Sequence, residues 1–258
     1  MANAHALRLE IEHALERRFP AALSPLPDTL RELASTGIAA VDRLLGGGLP
    51  VGAISEITGP VSSGRTSLAL SFLAQRTAEA RVCAWVDADD ALDAESAAAS
   101  GVSLCRLLWV RCRRQSQAAP WDRLDQALRA TDLLLQAGGF AAIVLDLAST
   151  APEHGCRIPL ASWFRFRQAA GRTRTSLVVL GQTGFAQSSA AVVLECSAQA
   201  ASAAPGTLWQ GLRYELQRGR LRFQPAFASQ RKPPVSDWSP ACAWACDPDR
   251  TATGGNRA

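Results

Sequence analysis

One segment of the chain, Gly59–Thr66, has the residue types and spacing of a phosphate-binding loop. It reads Gly-Pro-Val-Ser-Ser-Gly-Arg-Thr and fits the pattern GxxxxGK[ST], except that arginine stands at the lysine position. Two glycines let the backbone turn so that successive N–H groups face an anion, and the following helix adds the positive end of its dipole. The hydroxyl of Thr66 suits Mg²⁺. The segment therefore predicts binding of ATP or another nucleotide.

Arg65 is the residue that departs from this pattern. Lysine is a compact point charge, whereas arginine is larger, planar and bidentate, so the exchange is not conservative. Lys232 is the only lysine in the chain, so a general drift from lysine to arginine also explains the change. We expect nucleotide binding with weak or absent hydrolysis; the alternative is a Gly-Ser turn without a ligand. The residues predicted to contact the nucleotide are Gly59, Pro60, Val61, Ser62, Ser63, Gly64, Arg65, Thr66 and Ser67.

Three further polar side chains follow apolar runs that are typical of buried strands. Asp146 ends the run AAIVLD, Asp89 is the third residue after RVCAWV, and Gln182 follows SLVVLG. Ligands of open α/β sheets bind at the carboxyl ends of the strands, where all three residues are expected to lie. We predict that Thr66 and Asp146 hold Mg²⁺, that Asp89 is a general base and that Gln182 senses a γ-phosphate. Taken singly, an Asp at such a position is as often a helix cap or a loop residue.

The apolar pattern indicates an α/β fold. Between Thr36 and Phe223, short apolar runs without polar alternation are separated by segments with helical periodicity. Alternating strands and helices of these lengths form a mostly parallel central sheet flanked by helices. The run over residues 208–223 is predicted to be a late strand pair with a turn at Arg218-Gly219.

The chain is predicted to have three parts. Residues 1–34 form a helical arm and linker, residues 35–230 the nucleotide-binding core, and residues 231–258 a flexible Pro-rich tail. The arm's helix, over residues 6–19, packs on its own core or docks on a partner subunit. Its apolar side chains recur every four residues: Leu7, Ile11, Leu15 and Phe19.

Composition excludes several classes of protein. The chain has 258 residues, of which 48% are hydrophobic, so a wholly disordered protein is excluded. It has no run of about 18 apolar residues and no signal-peptide pattern at its start. We therefore expect a cytoplasmic protein that neither spans nor binds a membrane. Seven cysteines without a CxxC pair favour reduced thiols over a disulfide or zinc scaffold, and Cys242 and Cys246 are interpreted as free thiols.

The charge is unevenly distributed. Between Ala151 and Val235, eleven Lys and Arg stand against three Asp and Glu, while the whole chain carries only +4. Arginine beside Trp163 and Phe164 suits single-stranded DNA and suits a protein interface equally well; a solvated helix face with buried aromatics is the third interpretation. The arginines in question are Arg165, Arg167, Arg172, Arg174, Arg213, Arg218, Arg220 and Arg222.

The residues from Ser35 to Gln182 resemble the RecA recombinase family. The resemblance is carried by STGIAAVDRLLGGGLPVGAISEITGPVSSGRTSLALSFLA and RVCAWVDADDALD. It implies a RecA-like P-loop fold in which Gly59–Thr66 is the Walker A loop and Asp146 the Walker B aspartate. It also implies that Asp89 stands at the position of the catalytic glutamate and Gln182 at that of the phosphate-sensing glutamine. ATP and Mg²⁺ are the cofactors that it implies.

Within this family the chain resembles the ImuA branch. The segments after the Walker B strand and after the glutamine strand, APEHGCRI and TGFAQSSA, are too short to resemble RecA's DNA-binding loops. The resemblance is carried by three sequence segments: LLWVRC, DQALRATDLLLQAGGF and IPLASWFRFRQAA. It implies an accessory role in the SOS-type DNA damage response and in error-prone translesion synthesis. The implied partners are an ImuB-like Y-family polymerase homologue and an error-prone polymerase.

Two alternatives remain open from the sequence. One is a DNA-dependent ATPase of the RecA type that binds single-stranded DNA in homologous recombination. The other is an interaction protein that has lost its nucleotide. The release of phosphate from ATP, with and without single-stranded DNA, separates these possibilities.

Overall fold

The computed structural model describes residues 32–112, 120–202, 211–221 and 235–238. The chain divides into two compact units, Met1–Glu32 and Leu33–Ala258, and the described helices and strands belong to the second. The helix predicted over residues 6–19 lies outside the described residues. The strands are β1 (Leu33–Ala34), β2 (Leu49–Pro50), β3 (Ile54–Thr58), β4 (Cys83–Asp87), β5 (Leu107–Arg111), β6 (Ala142–Asp146), β7 (Ser176–Gly181), β8 (Ala190–Ser202), β9 (Gly211–Leu221) and β10 (Val235–Trp238). The helices are α1 (Ala39–Leu45), α2 (Arg65–Ala78), α3 (Ala94–Ala99), α4 (Pro120–Ala137), α5 (Pro152–Gly155) and α6 (Leu160–Thr173).

Eight of the described strands form one sheet. Its order is β10-β9-β8-β3-β7-β6-β4-β5, and β1 pairs with β2 in a separate small ribbon. The six strands from β8 to β5 are parallel, while β9 and β10 extend the sheet in antiparallel fashion. Every residue of β3, β4, β6 and β7 is buried, as expected for strands covered on both faces. The predicted fold class is therefore confirmed.

Helices cover the two faces of the sheet with separate apolar clusters. On one face, α1 and α2 pack against Trp85 and the neighbouring strand residues, with Phe72 of α2 fully buried. On the other face, α4 and α6 pack around Trp163 and Phe166, whose rings meet edge to face with centroids 5.8 Å apart. Because α2 and α4 lie on opposite faces, side chains at the carboxyl edge of the sheet can form contacts with helices on either face.

The antiparallel end of the sheet differs from the sequence-based prediction. We predicted a turn at Arg218-Gly219, but β9 runs through both residues as one strand beside β8. Val193 faces Arg220 and Leu194 faces Arg218, so Gly219 is an extra residue in the pairing. A glycine inside a strand is typical of such a bulge, and here it was mistaken for a turn.

Strand β10 lies within residues 231–258, which we predicted to be a flexible tail. Val235–Trp238 pairs with β9 in antiparallel fashion, so these four residues belong to the sheet. The boundaries of the predicted arm, core and tail stay predictions. Within the described ranges, no helix is both long enough and apolar enough to cross a membrane.

Candidate functional site

The loop Gly59–Thr66 connects the end of β3 to the start of α2, as the sequence predicts. Gly59 and Gly64 have φ angles of 150° and 87°, a region that side chains rarely adopt. A Cβ on Gly64 would lie 2.8 Å from the ring of Tyr214 on β9, and one on Gly59 would overlap the carbonyl oxygen of Cys196 on β8. Backbone conformation and close packing therefore both require glycine at these two positions.

Helix α2 begins without a side-chain cap. Its N-cap residue is Gly64, and the first amide bonded to the start of the helix is that of Leu68, which donates to the Gly64 carbonyl at 3.0 Å. The amides of Arg65, Thr66 and Ser67 come too early in the helix to have intrahelical partners. These N–H groups and the helix dipole favour an anion at this end of α2.

Arg65 is buried at the start of α2. Only 6% of its surface is exposed, and its Nη1 atom is buried without a hydrogen-bond partner. Burial lowers the pKa of Arg65, and the nearby carboxylate of Asp146 opposes that shift. Cys196 lies beside Arg65, but burial raises the pKa of its thiol to about 12, so at neutral pH it brings no negative charge. The Oγ of Ser63 in the same loop is also buried and unpartnered.

Asp146 lies at the end of β6, next to the loop as predicted. Its side chain accepts a hydrogen bond from the amide of Ala148 at 3.0 Å. Burial raises the pKa of Asp146 to about 6; Asp87 and Asp89 add to the increase, whereas the Ala148 amide and Arg65 oppose it. Asp146 therefore lies among several charged groups at the carboxyl edge of the sheet.

Asp87, the last residue of β4, has a structural role that the sequence did not reveal. It is fully buried, and its carboxylate accepts hydrogen bonds from the amides of Ala91 and Leu92 at 3.0 and 2.9 Å. The indole N–H of Trp109 on β5 donates to it at 3.2 Å. Asp87 therefore organises the turn that carries Asp89, and the two carboxylates have different environments.

Asp89 lies at the predicted sheet edge, but its carboxylate is engaged. Nη1 of Arg123 on α4 lies 2.7 Å from its Oδ1, and the two side chains are only 19% and 22% exposed. The second oxygen, Oδ2, is buried without a hydrogen-bond partner. Sequence reasoning missed Arg123, because nothing in its local pattern distinguishes it from Arg129, the other arginine of α4.

Gln182 follows β7 at the same edge. Its Nε2 donates to the carbonyl of Ala148 at 3.3 Å, and the amide of Ala148 in turn donates to Asp146. Gln182 thus connects the segment after β7 to the segment after β6. Its role as a γ-phosphate sensor stays a prediction.

The segment after β7 is held by a buried carboxylate that sequence reasoning missed. Glu56 in β3 is 2% exposed, and its Oε1 accepts hydrogen bonds from the amides of Phe185 and Ala186 at 2.6 and 2.7 Å. The ring of Phe185 packs directly against Gly155 of α5, so the segments after β6 and β7 contact each other. A lone acidic residue in an apolar strand is the signal that could have found Glu56.

Few protein ligands are available for a divalent cation. Thr66 is exposed and directly follows Arg65, the residue whose pKa the carboxylate of Asp146 influences. In the described part of the chain, no group of three or more His, Cys, Asp and Glu side chains could hold a metal ion. Thr66 and Asp146 fit Mg²⁺ as it is bound beside nucleotides, where phosphate oxygens and water supply the other ligands. The ion would neutralise charge on the phosphates.

The Arg-rich half of the chain is only partly a free basic surface. On α6, Phe164 is 53% exposed and Arg165 pairs with Asp132 of α4 at 3.0 Å. Trp163, by contrast, is fully buried and cannot stack on a base. Arg218 donates to the carbonyl of Leu44 at 3.0 Å and is half-buried. The side chains of Arg213, Arg220 and Arg222 lie outside the described residues.

A parallel sheet, a glycine-containing loop before an uncapped helix and carboxylates at the carboxyl edge together define a phosphate-loop α/β protein. The family model described as the RecA N-terminal domain matches residues 9–156, more than half of the chain. The chain belongs to the RecA family. The match includes the loop, Asp89 and Asp146 and ends before Gln182.

Curated relatives agree with this assignment. The chain is 41% identical over 124 residues to Protein RecA of Ruegeria pomeroyi, which covers 47% of this chain and 33% of that protein. It is 42% identical over 121 residues to Protein RecA of Pseudomonas fluorescens, covering 46% and 32%. The chain thus spans about a third of the length of these relatives.

A solved structure shares the fold. The crystal structure of the RadB recombinase superimposes with a TM-score of 0.57 at 18% identity, covering 80% of this chain and 96% of that one. At this identity the likeness concerns the fold. It covers a larger share of the chain than the family model, which matches residues 9–156.

Proposed function

We propose that this protein binds ATP with Mg²⁺ at Gly59–Ser67, turns it over weakly or not at all, and acts as an ImuA-like accessory factor in error-prone DNA repair. The observation that carries the nucleotide part is the buried, unpartnered Nη1 of Arg65 at the uncapped start of α2. A buried guanidinium N–H group without a hydrogen-bond partner is costly, and a phosphate group at this place would satisfy both that group and the amides at the start of α2.

Weak turnover follows from the chemistry of the remaining groups. Arg65 is planar and bidentate, so it can hold phosphate oxygens but does not reproduce the point charge of a lysine. Asp89 is shorter than the glutamate that the family resemblance implies, and its carboxylate is paired with Arg123. Gln182 is bonded to a backbone carbonyl. We expect these features of Arg65, Asp89 and Gln182 to slow hydrolysis more than they weaken nucleotide binding.

Titration of the purified protein with a fluorescent ATP analogue in the presence of Mg²⁺ tests the binding. We expect saturable binding that unlabelled ATP competes away. Arg65→Ala should weaken it at least about tenfold, because a charge-assisted contact with phosphate contributes about 1.5–3 kcal/mol. Arg129→Ala is the matched control, since Arg129 is exposed and pairs with Asp125 on the solvent side of α4. Binding that is equal in wild type and Arg65→Ala would contradict the proposal.

A second candidate function is a DNA-dependent ATPase of the RecA type. It is favoured by the 41–42% identity to RecA proteins across a segment of about 120 residues. The two candidates differ in how single-stranded DNA affects phosphate release. We expect slow release that DNA does not stimulate; strong stimulation by DNA would favour the recombinase-type ATPase.

The translesion role rests on the resemblance to the ImuA branch. We propose that the protein is cytoplasmic and contacts an ImuB-like polymerase homologue and an error-prone polymerase. The exposed face of α6 around Phe164 and Arg165 has the apolar and basic character of a partner surface. Co-purification of the polymerase homologue with wild type, but not with a Phe164→Ala/Arg165→Glu variant, is the expected result.

Single-stranded DNA is the other ligand that this basic face could take. An electrophoretic shift of labelled single-stranded DNA, weakened by added salt and by Arg165→Glu, would identify DNA as the ligand of α6. In cells, deletion of the gene should lower damage-induced mutagenesis without abolishing homologous recombination. Loss of recombination instead would favour the RecA-type candidate.

A further inference from the structure

Arg123 forms an ion pair with the carboxylate of Asp89. Its Nη1 lies 2.7 Å from Oδ1 of Asp89, and about four-fifths of each side chain is shielded from solvent. Shielded, hydrogen-bonded ion pairs are stronger and less affected by salt than pairs on the surface. In the described part of the chain, this is the ion pair that Asp89 makes.

The position of Arg123 determines the direction in which Asp89 is held. Arg123 lies on α4, which packs on the sheet face around Trp163. The phosphate loop leads into α2, which packs on the opposite face around Trp85. Asp89 is therefore drawn towards the helix layer that does not carry the phosphate loop.

One oxygen of Asp89 is left unused by this contact. Oδ2 is buried and has no hydrogen-bond partner. A carboxylate that served only to pair with arginine would gain by engaging both oxygens in a bidentate contact or by exposing the second to water. The unsatisfied oxygen suggests that Asp89 has a second arrangement in which it accepts a proton or a hydrogen bond.

We propose that Arg123 holds Asp89 away from the phosphate loop and thereby keeps bound ATP from being hydrolysed. The inference rests on the proposed function, because it requires ATP at Gly59–Ser67. In hydrolysis, the oxygen of a water molecule bonds to the γ-phosphorus while the bond to the β-phosphate oxygen breaks. ADP and phosphate leave, and the proton of the water passes to Asp89. Arg123 is a positioning residue that withholds this acceptor.

Phosphate release at saturating ATP, measured together with the affinity for the fluorescent ATP analogue, tests the proposal on the full chain. Arg123→Ala should raise the turnover at least about tenfold, because a correctly placed general base contributes 10²-fold or more. Its affinity for nucleotide should stay within about twofold of wild type, since Arg123 does not belong to the loop. Arg123→Met, which keeps the apolar stem, replaces Arg123→Ala should the latter fail to fold.

Three controls make the outcome specific. Arg129→Ala removes a neighbouring ion pair on α4 and should leave turnover unchanged. Arg123→Lys can restore a salt bridge and should stay as slow as wild type. Adding Asp89→Ala to Arg123→Ala should abolish the gain, because the gain is expected to act through Asp89.

The outcomes separate this inference from the proposed function. Faster turnover with unchanged affinity, cancelled by Asp89→Ala, supports the role of Arg123. Binding of the ATP analogue with turnover that is unchanged or slower in Arg123→Ala overturns it and leaves nucleotide binding intact. Absence of binding in the wild-type protein contradicts the proposed function and removes this role of Arg123 with it.

Discussion

The arginine at position 65 places a large, buried cation at the end of the phosphate loop. A lysine ammonium at this position could reach solvent or a phosphate, whereas the larger guanidinium is buried at the start of α2 with Nη1 unpaired. Burial lowers the pKa of Arg65 although the carboxylate of Asp146 opposes the shift, so the charge is only partly compensated and destabilises the folded protein in the absence of a ligand. A residue that costs stability and lies where an anion is expected is typical of a binding site.

The loss of stability caused by the buried guanidinium of Arg65 can be measured. Arg65→Met should raise the free energy of unfolding in nucleotide-free buffer, because burial lowers the pKa of Arg65 despite the attraction of Asp146, so the folded protein disfavours this charge. The same variant should lose the stabilisation that ATP gives to the wild-type protein, because bound ligand stabilises only the state that binds it. Urea unfolding with and without ATP provides both values. A less stable Arg65→Met protein would mean that Arg65 is satisfied in the free chain.

The raised pKa of Asp146 predicts a specific dependence of stability on pH. A carboxyl whose pKa is higher in the folded state than its usual value of 3.8 binds its proton more tightly when folded. Stability therefore falls as the pH rises from about 4 to about 6, by up to about 3 kcal/mol for this group. In nucleotide-free urea unfolding, Asp146→Asn should remove this component of the pH dependence. Asp125→Asn, at a surface ion pair, should retain it; an unchanged slope in Asp146→Asn would contradict the assignment.

The places of the candidate site residues in the fold could be predicted from the sequence, whereas their contacts could not and their roles stay predictions. The loop pattern and the position after a strand were enough to locate Arg65, Asp89, Asp146 and Gln182. Arg123 was missed because its partner lies 34 residues away in the chain and its own neighbourhood carries no motif. Ion pairs between distant segments depend on the packing of α4 against the sheet, which local sequence does not encode.

At the scale of elements, short and well-held segments distinguish this chain. The segments after β6 and β7 contact each other through Gly155 and Phe185, and Glu56 holds the second one through two backbone amides. In these two described segments few extended residues are left to wrap a DNA strand. This arrangement agrees better with contacts through the helices than with contacts through loops.

Removal of the Glu56 carboxylate should loosen the segment after β7. Hydrogen bonds to a buried charged group contribute about 1.5–3 kcal/mol each, so Glu56→Ala should lower the free energy of unfolding by about 2 kcal/mol or more. Amide hydrogen exchange over residues 182–189 should become faster. Glu195→Ala on the neighbouring strand is the control, because Glu195 is exposed. Unchanged exchange in Glu56→Ala would mean that other contacts hold the segment.

The central elements were predictable, and the peripheral ones were not. Strands β3, β4, β6 and β7 are continuous apolar runs, and their helices have clear periodicity, so pattern alone identifies them. Gly219 misled the prediction of β9, because glycine marks both turns and bulges. Val235–Trp238 follows two prolines, and it forms a strand by pairing with β9. Strands that depend on a partner rather than on their own pattern are hard to recognise.

At the scale of the whole molecule, the chain combines a RecA-family core with an altered site. The sheet order, the phosphate loop and the carboxylates at the sheet edge follow the family, and the match to curated RecA proteins covers about a third of their length. Arg65 stands at the lysine position of the loop pattern, and the carboxylate of Asp89 is paired with Arg123. Such a molecule suits a role in which nucleotide controls protein contacts and chemistry is secondary.

Nucleotide binding is the proposed property of the whole molecule that can be tested most directly. Isothermal titration calorimetry with Mg²⁺ and a non-hydrolysable ATP analogue measures stoichiometry and affinity in one experiment. We predict one site per chain in the wild-type protein and a loss of at least about tenfold in affinity in Arg65→Met, although that variant is the more stable protein. No heat of binding in the wild-type protein, or equal affinity in both proteins, would contradict a nucleotide site at the start of α2.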